Sequence, residues 1–161
     1  MLRIVTFLIL LTFSSCTTTY YIVRHAEKEA PANTMTSDVP LSAAGKERAE
    51  ALKNKLRNKG IRYIYSTNFI RTRATTQPLS AATGIDIINY EPKDSSFITQ
   101  LRNIRKGNSV IVGHSNTVDD LVNGLSGKNL LKDLPDTQYG DLFVVKRKGK
   151  SYQFRVEHFG R

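Results

Sequence analysis

The feature that most constrains the fold of this chain is the alternation of short apolar runs with charged, helix-forming segments. The run SVIVG at residues 109–113 is continuously apolar and bounded by glycines. Such runs are typical of strands buried on both faces, as in parallel sheets covered by helices. We therefore predict an α/β fold, a three-layer sandwich around a mostly parallel sheet.

The same patterns place the individual elements along the chain. Strands are predicted at 20–23, 61–66, 85–90 and 109–113, helices at 43–58, 69–83, 94–104 and 117–125, and two final strands that turn at Lys148-Gly149-Lys150. Gly60 and Gly84 indicate helix ends, and Pro78 predicts a kink or interruption in the second helix. A length of 161 residues without a dividing linker predicts a single domain, over residues 20–161.

Residues 1–16 differ in composition from the rest of the chain. Arg3 precedes an apolar run at 4–13, and small residues then lead to Cys16. A membrane-spanning helix needs roughly 20 apolar residues, so the run is more typical of a secretory signal peptide. There are two alternatives. The segment could be an ordinary signal peptide followed by a chance cysteine, or it could be a buried first strand.

The segment Phe13-Ser14-Ser15-Cys16 resembles the lipobox of bacterial lipoproteins. The resemblance implies a signal peptide at 1–15, cleavage before Cys16, lipidation of Cys16 and a short tether at 16–19. We therefore expect an exported protein, held on a membrane facing the bacterial periplasm or in the outer membrane.

The formal net charge of +10 indicates an affinity for anions. The lysines and arginines are scattered, however, and no basic tract alternates with aromatic residues. Nucleic acid is therefore not an expected partner.

Side chains suited to an anionic ligand follow the ends of several predicted strands. Arg24 and His25 directly follow the first strand, Arg71 comes shortly after the second, and His114 directly follows the strand at 109–113. Parallel sheets bind ligands beyond the carboxyl ends of their strands. The pattern therefore predicts one anion site shared by these residues.

Two carboxylates follow the third predicted strand. Glu91 comes directly after it, and Asp94 lies where it could equally cap the next helix. Tyr139 and His158 are expected to have no role beyond packing or surface exposure.

Metal and serine-hydrolase chemistry fit this pattern poorly. The chain has no closely spaced histidine pair and a single cysteine, and arginines among the ligands would repel a divalent ion. The GxSxG motif of serine hydrolases is missing. Arginine with imidazole suits a phosphate instead, because guanidinium donates paired hydrogen bonds to its oxygens.

Four blocks of the sequence resemble the histidine phosphatase superfamily, which includes phosphoglycerate mutases and small phosphatases. In chain order they are IVRHAEK, DVPLSAAGKERAEAL, IYSTNFIRTRATTQP and VIVGHSNTVDDLV. The resemblance implies that His25 is the phosphorylated nucleophile and that Arg24, Arg71 and His114 bind the phosphoryl oxygens. It further implies Glu91 as the proton donor, with Asp94 as its rival, and no metal or cofactor.

The expected activity is hydrolysis of a small-molecule or surface-glycan phosphate monoester. A mutase is less expected, because the mutases of the family carry inserted segments over the site that this chain lacks. The alternatives are a protein phosphohistidine phosphatase and a non-catalytic lipoprotein that binds phosphate or glycan.

Overall fold

The computed structural model describes residues 17–30 and 38–160. The strands are β1 (Thr17–Arg24), β2 (Ile61–Ser66), β3 (Ile87–Asn89), β4 (Asn108–Gly113), β5 (Asp141–Lys148) and β6 (Ser151–His158), and the helices are α1 (Ala43–Leu56), α2 (Ile70–Thr83), α3 (Ser95–Asn103) and α4 (Val118–Ser126). Strands and helices alternate up to α4, and an antiparallel hairpin closes the described chain.

The six strands form one sheet in the order β3-β2-β4-β1-β5-β6. The four strands from β3 to β1 are parallel to one another, and β5 and β6 are antiparallel additions at one side. The predicted α/β fold with a mostly parallel sheet is therefore confirmed. Since β1 and β4 are direct neighbours, the residues that follow them emerge side by side.

The sheet is buried on both faces. In β1, Tyr20 and Ile22 pack into one apolar cluster with α3 and α4, whereas Tyr21 and Val23 pack into another with α1 and α2. The five residues from Ser109 to Gly113 in β4 are all buried. Continuous burial explains why this strand reads as an unbroken apolar run.

Three sequence-based expectations on the elements need correction. The helix α2 is not interrupted at Pro78 but continues to Thr83, and the buried Leu79 just beyond the proline packs its second half on the sheet. The strand β1 begins at Thr17, so residues 17–19 belong to the sheet and do not form a free tether. The third strand, at Ile87–Asn89, is shorter than predicted.

The predicted signal peptide and Cys16 lie outside the described residues. Within residues 17–30 and 38–160, no helix has the length and apolar character needed to cross a membrane. Export and lipidation stay predictions.

Candidate active site

The register of two neighbouring strands brings His25 and His114 together. Arg24 in β1 pairs with Gly113 in β4, so each histidine is the next residue beyond a paired strand end. The backbone N–H of His25 donates to the Gly113 carbonyl at 2.9 Å. The imidazole ring centroids consequently lie 5.5 Å apart.

The His25 ring is oriented with one nitrogen toward the backbone. Its Nδ1 lies 2.8 Å from the carbonyl oxygen of Ala26, and a carbonyl can only accept, so Nδ1 carries the proton. The pKa of His25 is lowered to about 3. Burial is the main cause, the Ala26 hydrogen bond opposes it, and the nearby Arg71 and Arg24 add to the lowering. The Nε2 lone pair is therefore available as a nucleophile at neutral pH.

The second histidine is fixed by hydrogen bonds at both ring nitrogens. Its Nδ1 lies 3.3 Å from Nη2 of Arg71, which can only donate, so Nε2 carries the proton and donates to Oγ1 of Thr67 at 2.9 Å. The backbone N–H of His114 donates to Oγ1 of Thr117 at 2.9 Å. Burial and the neighbouring guanidinium of Arg71 lower the pKa of His114 to about 4.

Arg71 reaches the site from the first turn of α2. One oxygen of Asp38 accepts both from the backbone N–H of Ile70, at 2.9 Å, and from Nη1 of Arg71, at 3.4 Å. The guanidinium also lies over the ring of Phe69, 4.7 Å from its centroid. Asp38 thus ties the start of α2 and the arginine to a single carboxylate.

Arg24 is buried and held by the loop between α4 and β5. Its Nη1 donates to the carbonyl oxygens of Pro135 at 2.8 Å and Gln138 at 3.3 Å, and its Nη2 pairs with Asp136 at 3.2 Å. Its guanidinium carbon lies 4.4 Å from the centroid of the Tyr139 ring. These contacts fix the cation in the pocket although the strand itself supplies no partner for it.

The four predicted residues line one open cavity of about 480 Å³. Arg24, His25, Arg71 and His114 all contribute to its wall, together with Lys28. Two guanidiniums and two lysines, from Lys28 and Lys93, outnumber the one carboxylate of the lining and give this cavity a positive potential. Hydrogen-bond donors converge there beside a neutral imidazole. The arrangement suits a small tetrahedral anion placed against the Nε2 atom of His25.

The two candidate proton donors lie beside this cavity, not in its wall. Glu91 is exposed and lines a neighbouring cavity, between α3 and α4. Asp94 caps α3: its oxygens accept from the backbone N–H and the hydroxyl of Ser96 at 2.8 and 2.7 Å. The capping role that the sequence left open for Asp94 is present in the structure.

Sequence reasoning missed the contribution of the loop at 127–140. Tyr139 was expected only to pack, yet its ring covers Arg24. Asp136 is the one carboxylate among the described residues that line the cavity with His25. The loop has no motif or periodicity that would have revealed this, because its role depends on where α4 ends. Within the described ranges, no group of three metal-ligating side chains is arranged to hold an ion.

Taken together, fold and site define an α/β protein with a paired-histidine, paired-arginine anion pocket at the carboxyl edge of its sheet. The family model described as "Histidine phosphatase superfamily (branch 1)" matches residues 20–92, which include three of the four pocket residues. By this match, residues 20–92 are similar to the histidine phosphatase superfamily, and the fold of the described chain is like that of solved phosphohistidine phosphatase and phosphoglycerate mutase structures.

A curated relative from Escherichia coli, named a probable phosphoglycerate mutase, GpmB, is 33% identical over 90 residues. The alignment covers 54% of this chain but only 38% of that relative. The match therefore spans well under half of the length of the relative.

Solved structures extend the likeness over nearly the whole chain. A proposed phosphohistidine phosphatase, SixA, from Agrobacterium tumefaciens has a TM-score of 0.68 at 24% identity, covering 92% of this chain and 99% of its own. A phosphoglycerate mutase from Bacillus anthracis has a TM-score of 0.65 at 15% identity, covering 89% and 93% of the two chains. At these identities the likeness establishes the fold, and both phosphatases and mutases share it.

Proposed function

We propose that this protein is a metal-independent phosphatase that hydrolyses phosphate monoesters through a covalent phosphohistidine at His25. The observation that carries the proposal is the neutral, oriented imidazole of His25 among two guanidiniums in one cavity. Binding an anion would not require a buried nucleophile with a free Nε2 lone pair.

In the first step, Nε2 of His25 attacks phosphorus and the bond from phosphorus to the ester oxygen breaks. Arg24 and Arg71 bind the phosphoryl oxygens and offset the charge that spreads over them in the transition state. A phosphate oxygen beside Nδ1 of His114 favours the protonated ring, so that substrate binding draws a proton onto this histidine. His114 then donates to the same oxygens.

The leaving oxygen takes a proton from a carboxylic acid, for which we propose Glu91. In the second step the resulting carboxylate accepts a proton from water, the water oxygen bonds to phosphorus, and the bond from phosphorus to Nε2 breaks. Glu91 lines the cavity next to the phosphate pocket, which is where a leaving group would depart.

A second candidate function is removal of phosphate from phosphohistidine in proteins. Two structures similar in fold are described as SixA histidine phosphatases, and the second of them, with a TM-score of 0.68, covers 87% of this chain and 96% of its own. The open cavity would admit a side chain presented by another protein. The mutase activity named for the curated relatives is the remaining alternative.

We further propose that the protein is exported and anchored through lipid on Cys16. The support is the sequence alone: the apolar run at 4–13 followed by small residues and a cysteine. Labelled palmitate should enter the wild-type protein in cells, and Cys16→Ala should remove the label. Equal labelling of both proteins would exclude lipidation at this residue.

Hydrolysis of p-nitrophenyl phosphate in the presence of EDTA tests the phosphatase proposal. We expect turnover in the wild type and a loss of about 10³-fold or more in His25→Ala, because the covalent route needs the imidazole. His158→Ala is the matched control, since this histidine lies on β6 with a side chain that is 76% exposed and pairs with Asp141. It should leave turnover unchanged.

Two other results would redirect the assignment. A protein that binds inorganic phosphate but hydrolyses none of a broad set of phosphate monoesters would be a binding module. A protein that transfers phosphate from phosphorylated histidine in a peptide much faster than from any ester would be a phosphohistidine phosphatase. Detection of acid-labile phosphate on His25 after rapid quenching would support the covalent step in either enzyme.

A further inference from the structure

A second cavity lies directly beside the phosphate pocket, between α3 and α4, with a volume of about 430 Å³. Lys93 and Thr117 line both cavities, so the two spaces meet at these residues. Lys93 has a φ of 68°, a left-handed conformation that is uncommon for a residue with a side chain. The backbone therefore turns in a left-handed conformation at the junction of the two cavities.

The lining of this second cavity combines apolar and acidic groups. Its apolar part is aromatic and aliphatic and consists of Tyr90, Phe97, Ile98 and Leu121. Three carboxylates also line it, from Glu91, Asp94 and Asp120, against the single ammonium of Lys93, and the remaining lining is neutral. Phe97 stacks on Tyr90 with ring centroids 4.2 Å apart, so that each ring holds the other in place.

We propose that this cavity holds the leaving group of the substrate, and that the favoured leaving groups join an apolar body to an ammonium group. The inference rests on the phosphatase function proposed above and names its substrate class. The apolar body lies against the aromatic side of the cavity, and the ammonium faces Asp94 and Asp120, since Glu91 is protonated when it serves as the acid. With phosphorus at His25, the ester oxygen lies at the junction near Lys93.

The net charge of the chain predicts the opposite preference. At +10, long-range attraction favours substrates whose leaving group carries additional negative charge. The local carboxylates outnumber the Lys93 ammonium and favour positive charge there instead, and at short range local charges outweigh distant ones that salt screens. The sign of the charge preference therefore separates the two effects.

Two esters of one phenol type make this test. O-phosphotyramine carries an ammonium, and 3-(4-phosphonooxyphenyl)propanoate carries a carboxylate, while their phenol leaving groups are closely matched. At physiological ionic strength we expect kcat/KM to be about 5- to 10-fold higher for the ammonium ester. Asp120→Asn should reduce that ratio by about 2- to 3-fold. Glu47→Gln, on an exposed position of α1, should leave it unchanged.

Each result decides the matter. A ratio at or below one in the wild type would overturn the inference while leaving the phosphatase function intact. A ratio that Asp120→Asn and Glu47→Gln lower equally would overturn it as well, because the preference would then reflect net charge. Failure to hydrolyse either ester or phenyl phosphate would overturn the proposed function, and this inference with it.

An independent observation concerns the opposite end of the sheet. Eight exposed cations surround the amino ends of the parallel strands and the hairpin turn: Arg57, Lys59, Arg62, Arg105, Lys106, Lys128, Lys148 and Lys150. We call this surface the cationic end. None of these side chains forms an ion pair with a carboxylate of residues 17–30 or 38–160. A carboxylate, Asp86, precedes β3 nearby.

The chain enters the sheet at this same end. Thr17, the first residue of β1, pairs with Lys148 beside the hairpin turn. The sequence shortly before Thr17 contains the apolar run at 4–13. The catalytic histidine follows the other end of β1, which at eight residues is roughly 26 Å long.

The geometry points to the cationic end as a surface that contacts anionic lipid head groups. Unpaired lysines and arginines gain energy near an anionic bilayer, and this attraction falls off within a few ångströms to a Debye length. With this end against the lipid, the active site opens away from the membrane. The orientation would hold with or without lipid on Cys16.

Sedimentation with vesicles tests this surface in the full chain, with Cys16→Ser in every sample to remove lipidation. Equal parts of phosphatidylglycerol and phosphatidylcholine serve as the anionic vesicle, and pure phosphatidylcholine as the neutral one. We expect Lys148→Gln with Lys150→Gln to lower partitioning onto anionic vesicles about 10-fold or more. Lys46→Gln with Lys132→Gln removes the same charge from exposed positions elsewhere and should have little effect.

Equal losses in the two double variants would overturn the proposed surface, since binding would then follow net charge alone. Partitioning that is the same on anionic and neutral vesicles would overturn it as well. Hydrolysis by vesicle-bound protein at the rate of the free protein is expected, because the orientation leaves the site open. Its suppression on anionic vesicles would contradict the orientation.

Discussion

At the scale of single residues, Arg24 shows how a buried cation is held without a buried counter-ion. Its side chain is only 5% exposed, whereas that of its partner Asp136 is 94% exposed. Backbone carbonyls of the α4–β5 loop and the ring of Tyr139 supply the remaining contacts. The pocket therefore keeps most of its positive charge for a ligand, which a tight buried ion pair would neutralise.

Replacement of Tyr139 tests this view of Arg24. Tyr139→Leu should weaken competitive inhibition by inorganic phosphate about 3- to 10-fold, since a cation over an aromatic face contributes about 0.5 to 2 kcal/mol. Tyr139→Phe keeps the ring and should change inhibition by less than about twofold. An equal effect of the two substitutions would instead assign the role to the phenol hydroxyl.

The identity of the proton donor is a second residue-scale question. Glu91→Gln should lower kcat/KM for alkyl phosphates by about 10²- to 10⁴-fold and much less for p-nitrophenyl phosphate, whose leaving group needs little protonation. Asp136→Asn should act equally on both substrates, because it changes only a contact to Arg24. The reverse pattern would make Asp136 the donor and exclude Glu91.

At the scale of elements, the close approach of α1 to the loop after β1 supports the site. Gly45 lies in the first turn of α1, and a Cβ atom there would collide with the backbone carbonyl oxygen of Glu27. The Glu27 carboxylate receives hydrogen bonds from Arg48 of the same helix at 2.6 to 2.9 Å. Glu27, two residues beyond His25, thus joins the loop to the helix.

Two helix glycines provide a matched test of this contact. Gly45→Ala should lower the free energy of unfolding by about 2 kcal/mol, because a backbone oxygen cannot move aside. Gly124→Ala in α4 would meet only side-chain atoms of Ile98, chiefly its terminal Cδ1, and this side chain can change rotamer. Since alanine gains about 1 kcal/mol of helix propensity at either site, this variant should be near neutral. Urea unfolding of both proteins measures the difference.

Sequence patterns predicted the elements well wherever periodicity was strong. The helix α1 begins at Ala43 as expected, with Ser42 accepting from the Gly45 N–H, and α2 ends at Gly84, whose φ is 69°. The first strand was predicted too short. Residues 17–19 are polar threonines, and they belong to the sheet because they pair with β5. Threonine is enriched in strands, so the composition of residues 17–19 was compatible with the longer strand, but the apolar run that marked the strand begins only at Tyr20.

At the scale of the whole molecule, the site could be predicted only where a residue follows a strand. His25, Arg71 and His114 follow parallel strands, and a parallel sheet gathers such residues at one edge. Tyr139 belongs to a loop whose path is set by contacts with distant parts of the chain. One of them is the hydrogen bond from the backbone N–H of Leu134 to the carbonyl oxygen of Ser115, beside the site. Residues of this kind are positioned by tertiary structure and not by sequence pattern.

Both site histidines also affect the stability of the whole protein. Their pKa values are about 3 for His25 and about 4 for His114, against about 6.5 for a histidine in an unfolded chain. Burial is the main cause, and the guanidinium of Arg71 adds to it. Between these values the unfolded chain binds more protons than the native protein, so that the free energy of unfolding falls as the pH drops below 6.5.

Urea unfolding between pH 7 and pH 4.5 measures this effect before most carboxylates titrate. We expect a loss of about 2 kcal/mol for each site histidine by pH 4.5. His25→Gln and His114→Gln should each remove about half of this slope. A wild-type stability that stays constant over this range would mean that both imidazoles protonate normally in the folded protein. His25 would then lose its lone pair in mild acid, and phosphatase activity would fall with it below about pH 6.5.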